Sequence, residues 1–239
     1  LALLAAAFFA CASRAPRGAN EPAEVDAAVR SAMKAMDERN FVQAEKDLAR
    51  ALSLSPRSDS ARYEHAYLKL LMGDVRACIA EIEPMAREST ASERVFHLWG
   101  SALDMLGDSG SANRAFSDGL RRFEKSALLR HGLGVIAARE GDPLSAVTAW
   151  EQGIWHDPTF AANWFASGQL YAGTEERARV VLHMETLRNL EPISARSSEA
   201  AAYMMKAYGS AVRPVAGGVE VVFTDRAPVV SPEGVAVRF

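Results

Sequence analysis

Two histidines and an aspartate are the residues whose types best suit a metal site. His97 and His131 lie 34 residues apart, and Asp104 is the one further ligand that their pattern offers. Imidazole nitrogens and carboxylates are ordinary ligands of transition metals. Three such residues without a compact ligand spacing are more typical of a polar surface. We therefore predict that they bind no metal ion.

The sequence also has only weak patterns for a catalytic nucleophile or a phosphate-binding loop. No elbow or strand motif places a serine or cysteine beside a histidine and an acid. The glycines of His131-Gly132-Leu133-Gly134 follow no strand, so they indicate helix packing and not a phosphate loop. Cys78 falls in a column of small residues and is predicted to be a buried, inert thiol. We expect no enzymatic activity and no cofactor.

The composition excludes further classes of partner. The chain has 239 residues and a formal net charge of -3. It contains no dense run of lysine and arginine, which argues against binding nucleic acid. With two cysteines, Cys11 and Cys78, it has no disulfide framework.

The first thirteen residues, LALLAAAFFACAS, carry no charge and fit the apolar part of a signal peptide. Phe8-Phe9-Ala10-Cys11 resembles the lipobox of bacterial lipoproteins, although Phe8 stands where that family usually has leucine. The resemblance implies an acylated Cys11, with Ala12 and Ser13 directing the protein to the outer membrane. The alternatives are an ordinary secretory signal and an uncleaved segment. Residues 14–24, rich in proline and charge, are predicted to be a flexible tether.

The remaining chain is organised by a repeat of 34 residues. Five units follow without insertion: 25–58, 59–92, 93–126, 127–160 and 161–194. One column is small, at Ala32, Ala66, Gly100, Gly134, Gly168 and Ala202. A second small column holds Ala44, Cys78, Ala112, Ala146 and Val180, and a large one holds Leu48, Ile82, Phe116, Trp150 and Met184. The turns read Arg39-Asn40, Gly73-Asp74, Gly107-Asp108, Gly141-Asp142 and Glu175-Glu176, where glycine ends one helix and Asp or Asn caps the next.

These columns resemble the tetratricopeptide repeat (TPR). The resemblance implies an all-α fold, a right-handed superhelical solenoid of five helix-turn-helix repeats that stack on their neighbours. Residues 195–212 are then a capping helix. Pro84 is expected to kink the second helix of its unit.

The amino-acid composition changes in the tail, residues 213–239. Alternation over 219–224 and again over 234–239 predicts two strands, arranged as a loose hairpin. Such a hairpin is marginal alone, so it docks on the helices, stays disordered, or orders with a partner.

The resemblance also implies a concave groove lined by the first helix of each unit. Its predicted partner-facing residues are Met33, Met36, Tyr63, Tyr67, Leu70, His97, Ser101, Asp104, His131, Val135, Phe165 and Gln169. The alternative is that some of these only pack between helices or cover the docked tail. Val29 and Met33 stand where a carboxylate-binding cluster would need lysine and asparagine, so an acidic chaperone tail is not the expected ligand.

The predicted function is a non-enzymatic adaptor or scaffold, anchored by lipid at Cys11 on the periplasmic side of a bacterial outer membrane. It would bind a protein or peptide in the groove and assist assembly of an envelope complex, as some outer-membrane TPR lipoproteins do. The alternative is a self-occupied structural or oligomerisation module whose tail fills the groove.

Overall fold

The computed structural model describes residues 22–216, 218–222, 229–230 and 236–237. Eleven helices occupy the described chain up to Ala211. They are α1 (Ala23–Asp37), α2 (Phe41–Leu54), α3 (Asp59–Leu71), α4 (Val75–Ala86), α5 (Glu93–Met105), α6 (Ser109–Arg122), α7 (Ala127–Arg139), α8 (Pro143–His156), α9 (Ala161–Tyr171), α10 (Arg177–Leu190) and α11 (Ala195–Ala211).

The helices form antiparallel pairs within two compact units, which divide between Glu124 and Lys125. In the first unit α1 packs on α2, α3 on α4, and α5 on α6; in the second, α7 packs on α8 and α9 on α10, and α11 packs on α10. First helices of successive pairs also contact one another, α1 with α3 and α3 with α5, and likewise α7 with α9 and α9 with α11. The predicted all-α architecture of paired helices is confirmed.

The turns inside the pairs explain why each first helix ends where it does. Arg39, Gly73, Gly107 and Gly141 have positive φ angles of 57°, 85°, 83° and 81°. This left-handed conformation ends a helix and suits glycine. The next residue then caps the second helix: the side chains of Asn40, Asp74, Asp108 and Asp142 accept a hydrogen bond from the backbone N–H three residues later. In the fifth pair Glu176 precedes α10 without such a bond.

Small residues on the first helices allow the second helices to approach closely. A Cβ atom added to Gly100 would lie 2.7 Å from the ring of Phe116, and one added to Gly168 would lie 2.7 Å from Met184 Cε. Gly134 makes room for Trp150 in the same way. In these three pairs the small and large columns of the sequence are therefore the two sides of one contact.

Two boundaries differ from the sequence expectation or refine it. Helix α1 begins at Ala23, so the end of the predicted tether is already helical. Pro84 lies in the last turn of α4, which ends at Ala86. Proline has no N–H to donate and crowds the preceding turn, which accounts for an end soon after it.

The predicted hairpin in the tail is confirmed, but its strands pair differently from the expectation. Strand β1 (Val212–Val215) pairs antiparallel with β2 (Gly218–Val221), and β3 (Val229–Val230) pairs with β4 (Ala236–Val237). The strand predicted over 219–224 therefore pairs with residues directly after α11, and not with 234–239. Val215 opposite Gly218 leaves two residues, Ala216 and Gly217, to connect β1 and β2, a length typical of tight hairpins.

Residues 212–222 of the tail include the segment that stays close to α11. Strand β1 contacts α11, and the Val222 N–H donates to the Ala211 carbonyl oxygen at 2.8 Å. The valines of β1 and β2 are exposed, whereas Val222 is buried. Residues 223–228, 231–235 and 238–239 lie outside the described residues, and so do the predicted signal peptide and Cys11. No described helix is long and apolar enough to cross a membrane.

Candidate protein-interaction surface

In the first unit, the predicted groove residues fall into two groups. Met33, Tyr63, Tyr67, Leu70 and His97 are half-buried, so part of each side chain meets solvent. Three others, Met36, Ser101 and Asp104, are buried. Met36 lies in an apolar cluster with Ala44, Leu48 and Leu68, where α1, α2 and α3 meet. These buried side chains help to position the surface and are not available at it.

Around Tyr63, the surface combines an aromatic ring with a charged side chain. The guanidinium carbon of Arg94, on α5, lies 4.3 Å from the centroid of the Tyr63 ring on α3. This distance is within the range of a cation–π contact. Burial raises the pKa of Tyr63, and burial likewise raises the pKa of Tyr67. Both phenols are therefore neutral at physiological pH and present aromatic faces and hydroxyl groups.

Beneath these rings lies an acid that the sequence did not single out. Glu64 is 1% exposed, and its Oε1 atom has no hydrogen-bond partner among the described residues. The nearest cationic atom is Nη2 of Arg94, at 3.6 Å, which is longer than a charge-assisted hydrogen bond. Burial raises the pKa of Glu64, Arg94 lowers it in part, and Asp37 raises it further.

A separate network on other side chains of α3 fixes this helix between its neighbours. Lys69 Nζ donates to Glu45 Oε1 on α2 at 2.9 Å. His65 contacts Glu45 through Nε2 and Glu81, on α4, through Nδ1 at 2.7 Å. Burial alone would raise the pKa of Glu45, but the bonds from Lys69 and His65 hold it below its usual value. The network ties three helices together and so fixes where the tyrosines stand.

In the second unit His131 belongs to a buried polar contact. Asn163 Oδ1 lies 3.0 Å from His131 Nδ1, and Asn163 Nδ2 donates to the Ala127 carbonyl oxygen at 3.2 Å. Since an amide oxygen only accepts, Nδ1 carries a proton, and the lowered pKa of the ring keeps the imidazole neutral at pH 7. Burial lowers the pKa of His131 to about 4. The Trp150 Nε1–H donates to the His131 carbonyl oxygen, which joins α7 to α8.

The other predicted residues of this unit differ in exposure. Phe165 is buried in a cluster with Val180, Met184 and Leu187 and therefore packs the interior. Val135 is half-buried and Gln169 is exposed. Gln169 Nε2 donates to Glu199 Oε1 on α11 at 3.1 Å. Of the predicted set in this unit, Val135 and Gln169 are the side chains that reach the surface most directly, with His131 half-buried beneath.

His97 and His131 each pack beside aromatic rings. The His97 ring centroid lies 6.0 Å from that of Phe116, and the His131 centroid lies 5.9 Å from that of Phe160. Within the described ranges, no three His, Cys, Asp or Glu side chains are grouped as metal ligands would be. Cys78 is buried, and burial raises the pKa of its thiol to about 12.

Comparison with solved structures identifies the architecture. A thermophilic TPR protein from Thermus thermophilus is 16% identical, with a TM-score of 0.66 over 76% of this chain and 99% of that one. The chain has the tetratricopeptide repeat fold. PilF of Pseudomonas aeruginosa gives a TM-score of 0.61 at 14% identity, covering 78% of this chain and 90% of its own. PilW, described as a widely conserved type IV pilus biogenesis factor, gives 0.60 at 12%, covering 80% and 93%.

No protein-family model matches the sequence, and no curated protein does either. The likeness to solved structures therefore concerns the fold of the TPR helices. Which kind of partner the surface can bind depends on its own side chains.

Two buried polar residues, Glu64 and Asn163, were missed by the sequence analysis, and the repeat columns contain a signal for both. The column of Glu64 reads Arg30, Glu64, Leu98, Gly132 and Ala166, so an acid stands where three units have apolar or small residues. The column of Asn163 reads Ala27, Ala61, Val95, Leu129 and Asn163, so an amide interrupts an apolar series. A polar residue that breaks a packing column needs a partner, which makes it worth singling out.

Proposed function

We propose that the protein is a non-enzymatic adaptor or scaffold that binds a protein or peptide on the face formed by the first helices of its first unit. The observation that carries this proposal is the exposure of Tyr63 and Tyr67. Both belong to the middle first helix of the first unit, and both remain partly open to solvent although the helix is packed on either side. Tyrosine combines a large contact area with little side-chain entropy and is enriched at binding hot spots.

The proposed location is the cell envelope of a bacterium, with a lipid anchor at Cys11 on the periplasmic side of the outer membrane. This rests on the uncharged amino-terminal segment and the lipobox-like residues that end at Cys11. The fold shared with a type IV pilus biogenesis factor is compatible with a role in assembling an envelope complex. Mass spectrometry of the mature amino terminus tests the anchor, since an unmodified Cys11 in the purified protein contradicts it.

Photo-cross-linking in the native cell tests the interaction surface. A photoreactive phenylalanine analogue at Tyr67 is expected to capture a protein partner. The same residue at Val42, which is 84% exposed on the second helix α2, is the matched control. Adducts at position 67 and not at 42 support the proposal. Equal adducts at both positions, or adducts at 42 alone, would contradict it. Replacing Tyr63 and Tyr67 together by alanine is expected to abolish capture while circular dichroism keeps its helical signal.

A further inference from the structure

Glu64 is a buried acid, and its burial disfavours the charged form although Arg94 partly offsets this effect. Burying a carboxylate without hydrogen bonds destabilises a protein unless a cation lies at bonding distance. Oε1 of Glu64 has no hydrogen-bond partner among the described residues, and Arg94 stands 3.6 Å away. At the equivalent position of later repeats, Leu98, Gly132 and Ala166 fill the same place. Repeat packing alone therefore gives no reason for an acid here.

The groups around Glu64 favour a positive charge. Tyr63 and Tyr67 lie on the same helix, one residue before Glu64 and three residues after it, and the charge of Glu64 raises the pKa of both. Asp37 of α1 is near enough to raise the pKa of Glu64 and that of Tyr67. Aromatic faces and carboxylates are the two kinds of group that bind ammonium and guanidinium ions. Arg94 shows that a guanidinium fits, because it stacks on Tyr63 at 4.3 Å.

Arg94 does not make the closest possible contact with the Glu64 carboxylate. Its guanidinium stacks on the Tyr63 ring and forms an ion pair with Glu64, in which Nη2 lies 3.6 Å from Oε1, longer than an ideal charge-assisted hydrogen bond. A basic side chain that arrives from outside has no such restraint and can approach to about 2.8 Å. The side chain of Arg94 is 14% exposed. It is long and already reaches solvent, so it can turn outward when another cation takes its place.

We propose that Glu64, Tyr63 and Tyr67 form a binding site for a lysine or arginine side chain of the protein partner, and that Arg94 occupies this site internally until the partner displaces it. The proposal rests on the proposed function, since it names the chemistry of the partner at the same surface. The partner segment is therefore basic at the residue that meets α3. Arg94 competes with the partner for this site. Only a partner cation that binds more tightly than the Arg94 guanidinium can therefore occupy it.

Fluorescence anisotropy with the full chain tests the site. The probes are short labelled peptides with blocked ends, in which alanine alternates with arginine, glutamate or serine. The arginine peptide is expected to bind most tightly. Glu64→Gln is expected to weaken its binding about tenfold, the loss expected for one charge-assisted contact. Glu83→Gln is the matched control, because it removes the same charge from the second helix α4, where Glu83 pairs with Arg87, and should leave the affinity unchanged.

The Arg94 variants give the sharper result, because the two possible roles of Arg94 predict opposite changes. As an internal competitor, its removal in Arg94→Ala strengthens binding of the arginine peptide. Arg94→Gln removes the charge but keeps an unbranched polar side chain, and it is expected to strengthen binding in the same way if the alanine variant does not fold. Weaker binding in both variants, or tighter binding of the glutamate peptide, would show that Arg94 itself receives an acidic partner and would overturn the proposal. Spermidine that binds as tightly as the peptide would also overturn it.

The two proposals fail in different ways. Peptides that bind equally whatever their charge, or a Glu64→Gln variant that binds like the parent, sink the basic-residue site while the adaptor role stands. Absence of cross-linked protein at position 67 removes the adaptor role and this site together.

Discussion

At the scale of single residues, glycine in the first helices sets how closely the pairs pack. Gly100→Ala is expected to destabilise the protein by about 1–3 kcal/mol, because the new methyl group would lie 2.7 Å from the buried ring of Phe116. Gly209 in α11 is the matched control, since nothing lies within 4 Å of its added Cβ. Gly209→Ala is expected to stabilise by about 0.5–1 kcal/mol. Urea unfolding measures both, and equal effects would refute the close contact.

Glu64 makes a second prediction at this scale, concerning stability and pH. Its folded pKa is raised above 4.5 by burial, so its contribution is fully present below the unfolded pKa and is lost as pH rises through the folded one. Glu64→Gln removes the titrating carboxylate and therefore removes this pH-dependent loss of stability. Relative to the parent, the variant is expected to be more stable near neutral pH than near pH 4, by about 1 kcal/mol. Urea unfolding at both pH values measures the gain, and a variant that is less stable at neutral pH would show that the acid stabilises the fold.

At the scale of elements, the second helices depend on their caps. Asp74 Oδ1 accepts a hydrogen bond from the Ala77 N–H at 3.0 Å at the start of α4. Asp74→Ala is expected to cost about 1 kcal/mol, and Asp74→Asn much less, because asparagine still offers a side-chain oxygen. Chemical unfolding monitored by circular dichroism compares the two. A similar loss in both variants would indicate that the charge, and not the cap, stabilises this end.

Caps of this kind also give the fold a sensitivity to acid. Hydrogen bonds from the Ser111 hydroxyl and backbone hold the pKa of Asp108 below its usual value, and Ser145 does the same for Asp142. A lowered pKa contributes stability above the unfolded value that disappears as pH falls through the folded one. The repeated caps therefore act in the same direction, favouring the pairs at neutral pH.

The elements differ in how far the sequence alone predicts them. The turn at Gly107-Asp108 is local, since the positive φ and the cap need only adjacent residues, and the helix pairs could be predicted from it. The roles of Glu64 and Arg94 could not, because the two residues meet across two helices. In the tail the sequence predicts a hairpin but not its pairing, because several short valine-rich segments alternate equally well and periodicity does not choose which strand pairs with which.

At the scale of the whole molecule, each compact unit has its own apolar core. In the first, Ala32, Met36, Leu48 and Leu68 form one cluster, and Val25, Val29 and Ala51 belong to another. In the second, Phe165, Met184 and Leu187 are buried together with Met204 of α11. Stacked repeats gain stability from contacts between nearest neighbours. Because these clusters lie within single units, each unit has the interior contacts that a folded domain needs.

A chain divided after Glu124 tests this independence. The fragment of residues 22–124 is expected to be helical and to unfold cooperatively on heating, because both apolar clusters of its unit are complete within it. The fragment of residues 125–222 is expected to behave likewise, since α11 covers α10 at its end. Circular dichroism against temperature measures both fragments. A first fragment that folds alone should also keep the arginine-peptide affinity of the full chain, because Tyr63, Glu64, Tyr67 and Arg94 all belong to it; a broad, non-cooperative transition would mean that neighbouring repeats supply stability that the unit lacks.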